Sequence, residues 1–491
     1  MSRNRAPVSG TPLLATRYTG PASDKTRHFQ ESFCVFCVFC VNVDCVCEIV
    51  QQGKILTCDM GTTRLLLLTI TAALLVETQT QSSWLRWLDK PYQVARRGFT
   101  SGLLKTGSAS KRGIATAMSA ANSLRATSQH FNSKFQEPVP DDSPFPCDTG
   151  PESPGARSAT RPTSVHRLRP GDIDVVGAMG DSLTAGTGTA AAGLVELAVE
   201  NRGMSWSGGG ESTWREYLTL PNILREYNPA LIGYSLKDSL GSEVNSQFNV
   251  AEPLAETRDM AFQAKLLVRR MRSDKRVNYK DDWKMVTMMI GSNDFCSEMC
   301  YLKDISVTSE LHKKELTTAL DYLRDNMPRT IVNLVAPPQL RIIQDFKGKS
   351  ALCALINDVE CPCLFGLRWQ HLKDNFTQIM RDVQKTDLEL ATSGRYNSKD
   401  DFAVVGHRFL TEATIPNKRT PRGDVTDFSF LSEDCFHFSQ KTHAMAANSL
   451  WNSLLEPVGN KTPHAVELPF SRFLCPAEES PYIFTDRNSV T

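Results

Sequence analysis

The sequence lacks what a membrane span or a nucleic-acid binder needs. No apolar stretch reaches about 18 residues, the length from which a spanning helix is read. Charge of one sign is missing as well. The 55 Lys and Arg stand against 54 Asp and Glu, a formal net charge of +1. There is therefore no electrostatic footprint for a nucleic acid and no polybasic run for an anionic leaflet. No segment repeats, which argues against an array of short units. The last residues, Asp486 to Thr491, are polar and carry no lipid-anchor signal. What is there is ordinary for a globular chain: 41% hydrophobic and 22% charged residues over 491 positions. That length leaves room for one large domain with tails, or for two or three average ones.

Cysteine is present but unevenly spread. Six of the 14 (Cys34, Cys37, Cys40, Cys45, Cys47 and Cys58) precede Met60. Their spacing fits no zinc pattern and no histidine follows closely, which disfavours a metal or redox cluster. Met60-Gly61-Thr62-Thr63-Arg64 and the apolar run at 65–76 have the form of a secretory signal peptide, assigned here to 60–80, with an ill-defined cleavage site. We therefore expect translation to start at Met60, residues 1–59 to be a gene-model extension, and the product to be secreted. The mature chain then keeps eight cysteines, an even number suited to disulfides in an oxidising compartment. On the order of a hundred pairings are open to them, so none is assigned. Cys361-Pro362-Cys363 is not C-x-x-C and reads as staple rather than redox centre. Residues 81–140 read as a low-complexity linker or pro-segment, and 138–170 as Pro-rich extended coil.

From Arg169 the texture changes to alternating strands and helices. Strands are expected at Ile173–Met179, Lys284–Ile290, Thr330–Val335 and Phe402–Val405. Helices are expected at Met260–Arg272, Lys314–Asn326, Trp369–Leu390 and Ser439–Leu455. That order argues a central parallel sheet with helices on both faces, a three-layer α/β/α sandwich.

Gly180-Asp181-Ser182-Leu183 places a serine at the C-terminal tip of the first strand, the edge where ligands and reacting groups collect in open α/β sheets. A serine hydroxyl is a poor nucleophile until a base takes its proton, and an imidazole needs a carboxylate to fix its tautomer. Asp434 and His437, three residues apart on a loop before the last helix, can supply both. Oxyanions need donors set in advance. The Ser182 N–H, a glycine N–H from Gly208-Gly209-Gly210 and the Asn293 amide of Gly291-Ser292-Asn293-Asp294 can serve. Each block alone has a bland reading as a turn, a flexible loop, a helix cap or a surface pair. No metal is called for, because the Asp-x-x-His pair has no second histidine at zinc spacing.

The ordering of these blocks resembles the GDSL or SGNH hydrolase superfamily, and within it the animal phospholipase B branch. The residues that carry the resemblance are Val165–Ile173, Gly180–Gly186, Arg202–Ser207, Leu220–Leu224, Gly291–Cys296, Asp434–Ser439 and Leu450-Trp451-Asn452. It implies a flavodoxin-like SGNH sandwich over 141–476, followed by a tail at 477–491. It implies Ser182 as nucleophile and His437 as general base and acid. Asp434 becomes the orienting carboxylate, with Asp294 as competing triad acid. Asn293 and Gly210, with Gly209 close behind, would join Ser182 in the oxyanion hole. The chain departs from the branch at Gly208, where an aliphatic residue is usual, and at Leu254, where a smaller one is.

The implied activity is a secreted serine esterase acting on acyl esters of glycerophospholipids and lysophospholipids, with no cofactor, meeting its substrate at a transient membrane or micelle surface. A short-chain or carbohydrate acetylesterase and a catalytically silent lipid-binding protein are the alternatives. Asn375-Phe376-Thr377 and Asn460-Lys461-Thr462 are glycosylation acceptor patterns consistent with export. Cys435, between the triad residues, is expected to be bridged and to hold their loop.

Overall fold

Strands that are buried on both faces read as continuous apolar runs, and the four runs here hydrogen-bond to one another in parallel. The computed structural model describes residues 132–421 and 423–489. The expected extension (1–59), signal peptide (60–80) and most of the 81–140 linker lie outside the described residues. In chain order the elements are β1 (Val175–Gly180), α1 (Ser182–Ala185), α2 (Leu220–Tyr227), α3 (Met260–Ser273), β2 (Lys284–Met289), α4 (Ser292–Ser297), α5 (Thr308–Asn326) and β3 (Thr330–Val335). There follow α6 (Ala351–Glu360), α7 (Pro362–Phe365), α8 (Lys373–Ala391), β4 (Phe402–His407), a hairpin of β5 (Asn417–Thr420) and β6 (Gly423–Thr426), and α9 (Gln440–Leu454).

The sheet order is β1-β2-β3-β4, with Gly180 opposite Met289 and Met289 opposite Val335. Alternation along the strands sends side chains into two separate cores. Val176, Met285, Ile331 and Ala403 meet α2 and α9 on one face. Val175, Val286, Val332 and Val404 meet α3 and α5 on the other. The sandwich is therefore three-layered.

The free edge of β1 is covered rather than exposed. Val176 N–H donates to Ile232 O at 2.9 Å, and Ala178 N–H to Phe248 O at 3.0 Å. Both contacts run parallel. The chain thus leaves β1 towards one side of the sheet, returns, and continues through β2, β3 and β4 on the other. That reversal makes the crevice beyond β1 and β2 the topological switch point, where α/β sheets bind ligands.

Sequence and structure differ at some boundaries. The first strand starts at Val175, because Asp174 is occupied in capping Trp283, whose N–H donates to its carboxylate at 2.9 Å. The long helix expected from Trp369 opens as a 3-10 turn over Leu367–Leu372. Helices α2 and α6 and the hairpin have no counterpart in the periodicity reading; each is short, and tertiary contacts hold it. The expected domain limits at 141 and 476 both fall inside packed structure. Gln136 accepts from Leu218 N–H at 2.7 Å and Lys134 pairs with Glu433 at 2.7 Å. Ile483 is fully buried and its N–H donates to Leu168 O at 2.8 Å.

All eight cysteines of the described residues are paired: Cys147–Cys475, Cys296–Cys361, Cys300–Cys363 and Cys353–Cys435. The first joins the two ends of the packed unit across 328 residues of sequence. Replacing Cys147 and Cys475 together by Ser should lower unfolding free energy by about 2–5 kcal/mol. Chemical denaturation monitored by circular dichroism measures it, and an unchanged midpoint would contradict the strap.

Candidate active site

Strand β1 ends at Gly180, whose φ of +149° is a conformation that side chains resist. A Cβ there would also strike the Met289 carbonyl and Thr184. Gln263 of α3 grips this glycine from both sides, accepting from its N–H at 2.9 Å and donating to its carbonyl at 2.8 Å. Asp181 then caps α1 through the Leu183 N–H at 3.0 Å. Ser182 is the first helical residue, with an N–H that has no partner among the described residues, as expected at a helix start. The tetrapeptide is thus a strand-to-helix turn that lifts one hydroxyl above the sheet edge.

That hydroxyl lies 2.8 Å from His437 Nε2, across 255 residues of sequence. His437 Nδ1 lies 2.6 Å from Asp434 Oδ2. The other Asp434 oxygen accepts from the Phe436 and His437 N–H groups at 2.9 Å each. Asp434 is fully buried, and its loop is closed by the Ser432–His437 backbone bond at 2.8 Å and the Cys353–Cys435 disulfide. Burial alone would raise the Asp434 pKa, but the His437 charge and these hydrogen bonds hold it below its ordinary value. Burial pulls the His437 imidazole down. The Asp434 carboxylate, with smaller help from Glu360 and Asp181, overcomes that and lifts it to about 9. Donor atoms of Glu360, Asp434 and His437 all lie within 4.8 Å of one another. A cation there would displace the proton between His437 and Asp434, so the cluster is better suited to charging the base than to holding a metal.

Asn293, in the first turn of α4, donates through Nδ2 to Ala255 O at 2.9 Å, leaving its second amide hydrogen to another acceptor. Asp294 faces away from His437. Its oxygens accept from Thr257 N–H at 3.2 and 3.0 Å. Thr257 Oγ1 lies 2.8 Å from His312 Nδ1, and His312 Nε2 lies 2.7 Å from Asp387. Burial lifts the Asp294 pKa to about 6 against the opposing His312 charge and the Thr257 donors. This second buried network ties α4, α5 and α8 to the turn at 255–257 that holds Asn293. Asp294 is accordingly a brace, and the competing reading of it as triad acid is not what the geometry offers.

The glycine assignment requires correction. The Gly209 N–H donates to Ser205 O at 2.9 Å and the Gly210 N–H to Ser235 O at 2.8 Å. Neither donor is left for an oxyanion; the run packs against the covered edge of β1, where Gly209 bridges Ser235. The structure offers Leu254 instead. Glu252 N–H donates to Gly180 O at 3.1 Å, which sets Leu254 just beyond the end of β1. Its N–H has no partner among the described residues, and its φ is +64°. A leucine in that conformation is strained. The sequence signal was the oversized residue at 254, visible but read only as a change in pocket shape.

Residues 176–450 match the GDSL-like lipase/acylhydrolase family. The chain is 39% identical over 336 residues to membrane-associated phospholipase B1 of Rattus norvegicus, covering 67% of this chain and 23% of that protein. It is 37% identical over 347 residues to the Homo sapiens protein of the same name, covering 68% and 23%. It thus spans about a quarter of the length of these curated relatives. An extracellular lipase from Streptomyces rimosus aligns over 55% of this chain and 93% of its own at 16% identity, with a TM-score of 0.25.

The two carboxylates are expected to separate cleanly by mutation. Asp434→Asn should lower kcat by about 10⁴-fold with little change in fold. Asp294→Asn should cost about 1–3 kcal/mol of stability through the lost acceptor and reduce kcat less. Steady-state kinetics with thermal melts on both variants rank them. Because the neutral imidazole is the base, a raised His437 pKa places the acidic limb of kcat/KM above the ordinary 6.5, towards 9. A limb below 6.5 would contradict the charge arrangement. Leu254→Gly keeps the N–H and removes the strain, so kcat should hold and stability should not fall by more than about 1 kcal/mol. A larger loss in denaturant titration would refute the strain at 254.

Proposed function

The chain belongs to the GDSL-like lipase/acylhydrolase family, phospholipase B branch, and is a carboxylic ester hydrolase, and from that premise we propose that it is a secreted serine esterase that cleaves acyl esters of glycerophospholipids and lysophospholipids. The observation that carries the reading is the continuous chain from Ser182 Oγ through His437 to buried Asp434, at 2.8 and 2.6 Å. Export is supported by the four disulfides, which suit an oxidising compartment. Among the described residues no helix is long and apolar enough to cross a membrane.

In the proposed reaction Ser182 Oγ attacks the ester carbonyl while His437 Nε2 takes its proton. Negative charge develops on the carbonyl oxygen, where the Ser182 N–H, the Leu254 N–H and the Asn293 amide can donate to it. Collapse of the tetrahedral adduct breaks the acyl C–O bond, and His437 returns the proton to the departing glycerol oxygen. A water, deprotonated by the same imidazole, then attacks the acyl-serine, and its collapse frees the fatty acid and restores Ser182. Asp434 stabilises the imidazolium in both halves without itself taking the proton.

The test is wild type against Ser182→Ala on acetyl esters, lysophospholipids and diacyl phospholipids. Wild type should release fatty acid from both lipid classes, and Ser182→Ala should lose at least about 10³-fold in kcat. Equal turnover by the variant would end the nucleophile assignment. Turnover of acetyl esters alone would end the phospholipid reading.

A further inference from the structure

Between β3 and α8 the chain leaves the sandwich and packs Leu340, Ile343 and Leu364 into a separate apolar cluster with Phe295 and Met299 from α4 and its end and Phe376 from α8. Three of the four disulfides converge on this excursion: Cys353–Cys435, Cys296–Cys361 and Cys300–Cys363. Two of them tie it to α4 and its end, next to Asn293, and the third ties it to the loop of His437. The side chains on its outer part are not covered. Leu367 is 87% exposed and Leu352 45%, and Tyr301, from the turn after α4, borders them at 37%. Tyr301 meets the half-buried Trp369 edge-on, with ring centroids 5.5 Å apart.

Cations lie over these rings. The Arg368 guanidinium is 4.4 Å from the centre of Trp369. Lys349 Nζ, 4.6 Å from the centre of Phe365, instead donates inward to buried Asn357 at 3.2 Å. Between residues 340 and 373 there are five Lys or Arg against three Asp or Glu, in a chain whose net charge is only +1. One of those acids, Glu360, points to the triad and not outward.

The same excursion reaches the reacting groups. Phe436 packs on its cluster and sits edge-on to the His437 ring at 5.3 Å. Helix α6 starts beside exposed Leu352 and ends at Glu360, adjacent to His437. Ten helical residues span about 15 Å, shorter than a long-chain fatty acyl group.

We propose that this disulfide-framed excursion is the surface by which the protein docks on aggregated phospholipid. Leu352, Leu367 and Trp369 enter the acyl–headgroup boundary, while Arg368 meets phosphate. Exposed leucine and an aromatic side chain gain free energy on leaving water, and cations with apolar stems suit a headgroup layer. Single exposed apolar residues need no explanation. Here they share one stapled element with the ring-stacked Arg368 and end at the proposed site of ester cleavage, and that combination fits a lipid surface. The proposal rests on the phospholipid reading above.

The experiment compares the full chain with Leu367→Asp, Leu352→Asp/Leu367→Asp and Arg368→Glu. Sedimentation with phosphatidylcholine vesicles, with and without about one-fifth phosphatidylglycerol, measures docking. Hydrolysis of a short-chain phosphatidylcholine below its micelle concentration measures chemistry apart from docking. Leu367→Asp should weaken vesicle binding about tenfold, and the double variant more. Both should leave kcat/KM on the soluble lipid unchanged. Arg368→Glu should weaken binding chiefly to the vesicles with phosphatidylglycerol, and salt should remove that difference.

Wild type that does not sediment with vesicles, or variants that bind as wild type does, would overturn the proposal. So would variants that lose soluble and vesicular activity equally. A dimer of this chain that Leu367→Asp dissociates, with vesicle binding unchanged, would assign the surface to a second copy instead. Vesicle binding that depends on Leu367, with no lipid hydrolysed in either form, would sustain the docking surface and refute the phospholipid reading.

Discussion

A parallel sheet leaves its strand ends with open backbone groups and its edges in need of cover, and this molecule meets both needs at β1. The strand is held on one side by β2 and on the other by backbone bonds to Ile232 and Phe248. It can stop abruptly only because Gly180 adopts a φ of +149° in the grip of Gln263. Everything that follows is positioned from that stop. Ser182 rises one residue into the next helix, the Leu254 turn is tied to Gly180 O through Glu252, and Asn293 emerges from the neighbouring strand. A residue larger than glycine at 180 would meet the Met289 carbonyl and part the two strands whose ends make the site.

Electrostatics then divide the edge between two buried networks. On one side Asp434 holds and charges His437, with Glu360 and Asp181 adding to the same field. On the other, Asp294, Thr257, His312 and Asp387 form a chain with no hydrogen bond to Ser182 or His437 among the described residues. Buried carboxylates are costly unless hydrogen-bonded, so each network has to be nearly complete to be tolerated. Asn293 is held by Ala255, next to the second network, with one amide hydrogen uncommitted. The division explains why neighbouring residues, Asn293 and Asp294, serve different ends.

Covalent bonds reinforce that arrangement from outside the sheet. Helix α6 is linked at Cys353 to the loop of the base, and the residue after its end, Cys361, to the helix that carries Asn293. The proposed base and a proposed donor for the developing charge are therefore referred to one rigid element, which itself lies beyond the sandwich. The cost of ordering a long excursion between β3 and α8 is reduced by these closures. The same closures let it keep apolar side chains such as Leu367 in water.

Much of this was legible in order along the chain. The apolar runs at 173–179, 284–290, 330–335 and 402–405 declared buried strands because side chains on both faces must be apolar in a covered parallel sheet. Gly180, Ser182, Asp434 and His437 could be singled out because their local chemistry is nearly self-contained: a turn that demands glycine, a helix start, and an acid three residues from a base. What the sequence could not decide depends on backbone bonds between distant segments. Nothing in the run 208–210 tells that the N–H groups of Gly209 and Gly210 are spent on Ser205 and Ser235, or that Leu254 presents an unpartnered one. Likewise Asp294 and Asp434 are both acids in suggestive blocks, and only the packing of α5 and α8 turns the first towards Thr257. The disulfide pairs, the packed ends at 134–140 and 483–485, and the course of α6 from exposed surface to His437 belong to the same class. They arise from contacts made across the fold, whose partners sequence periodicity does not name.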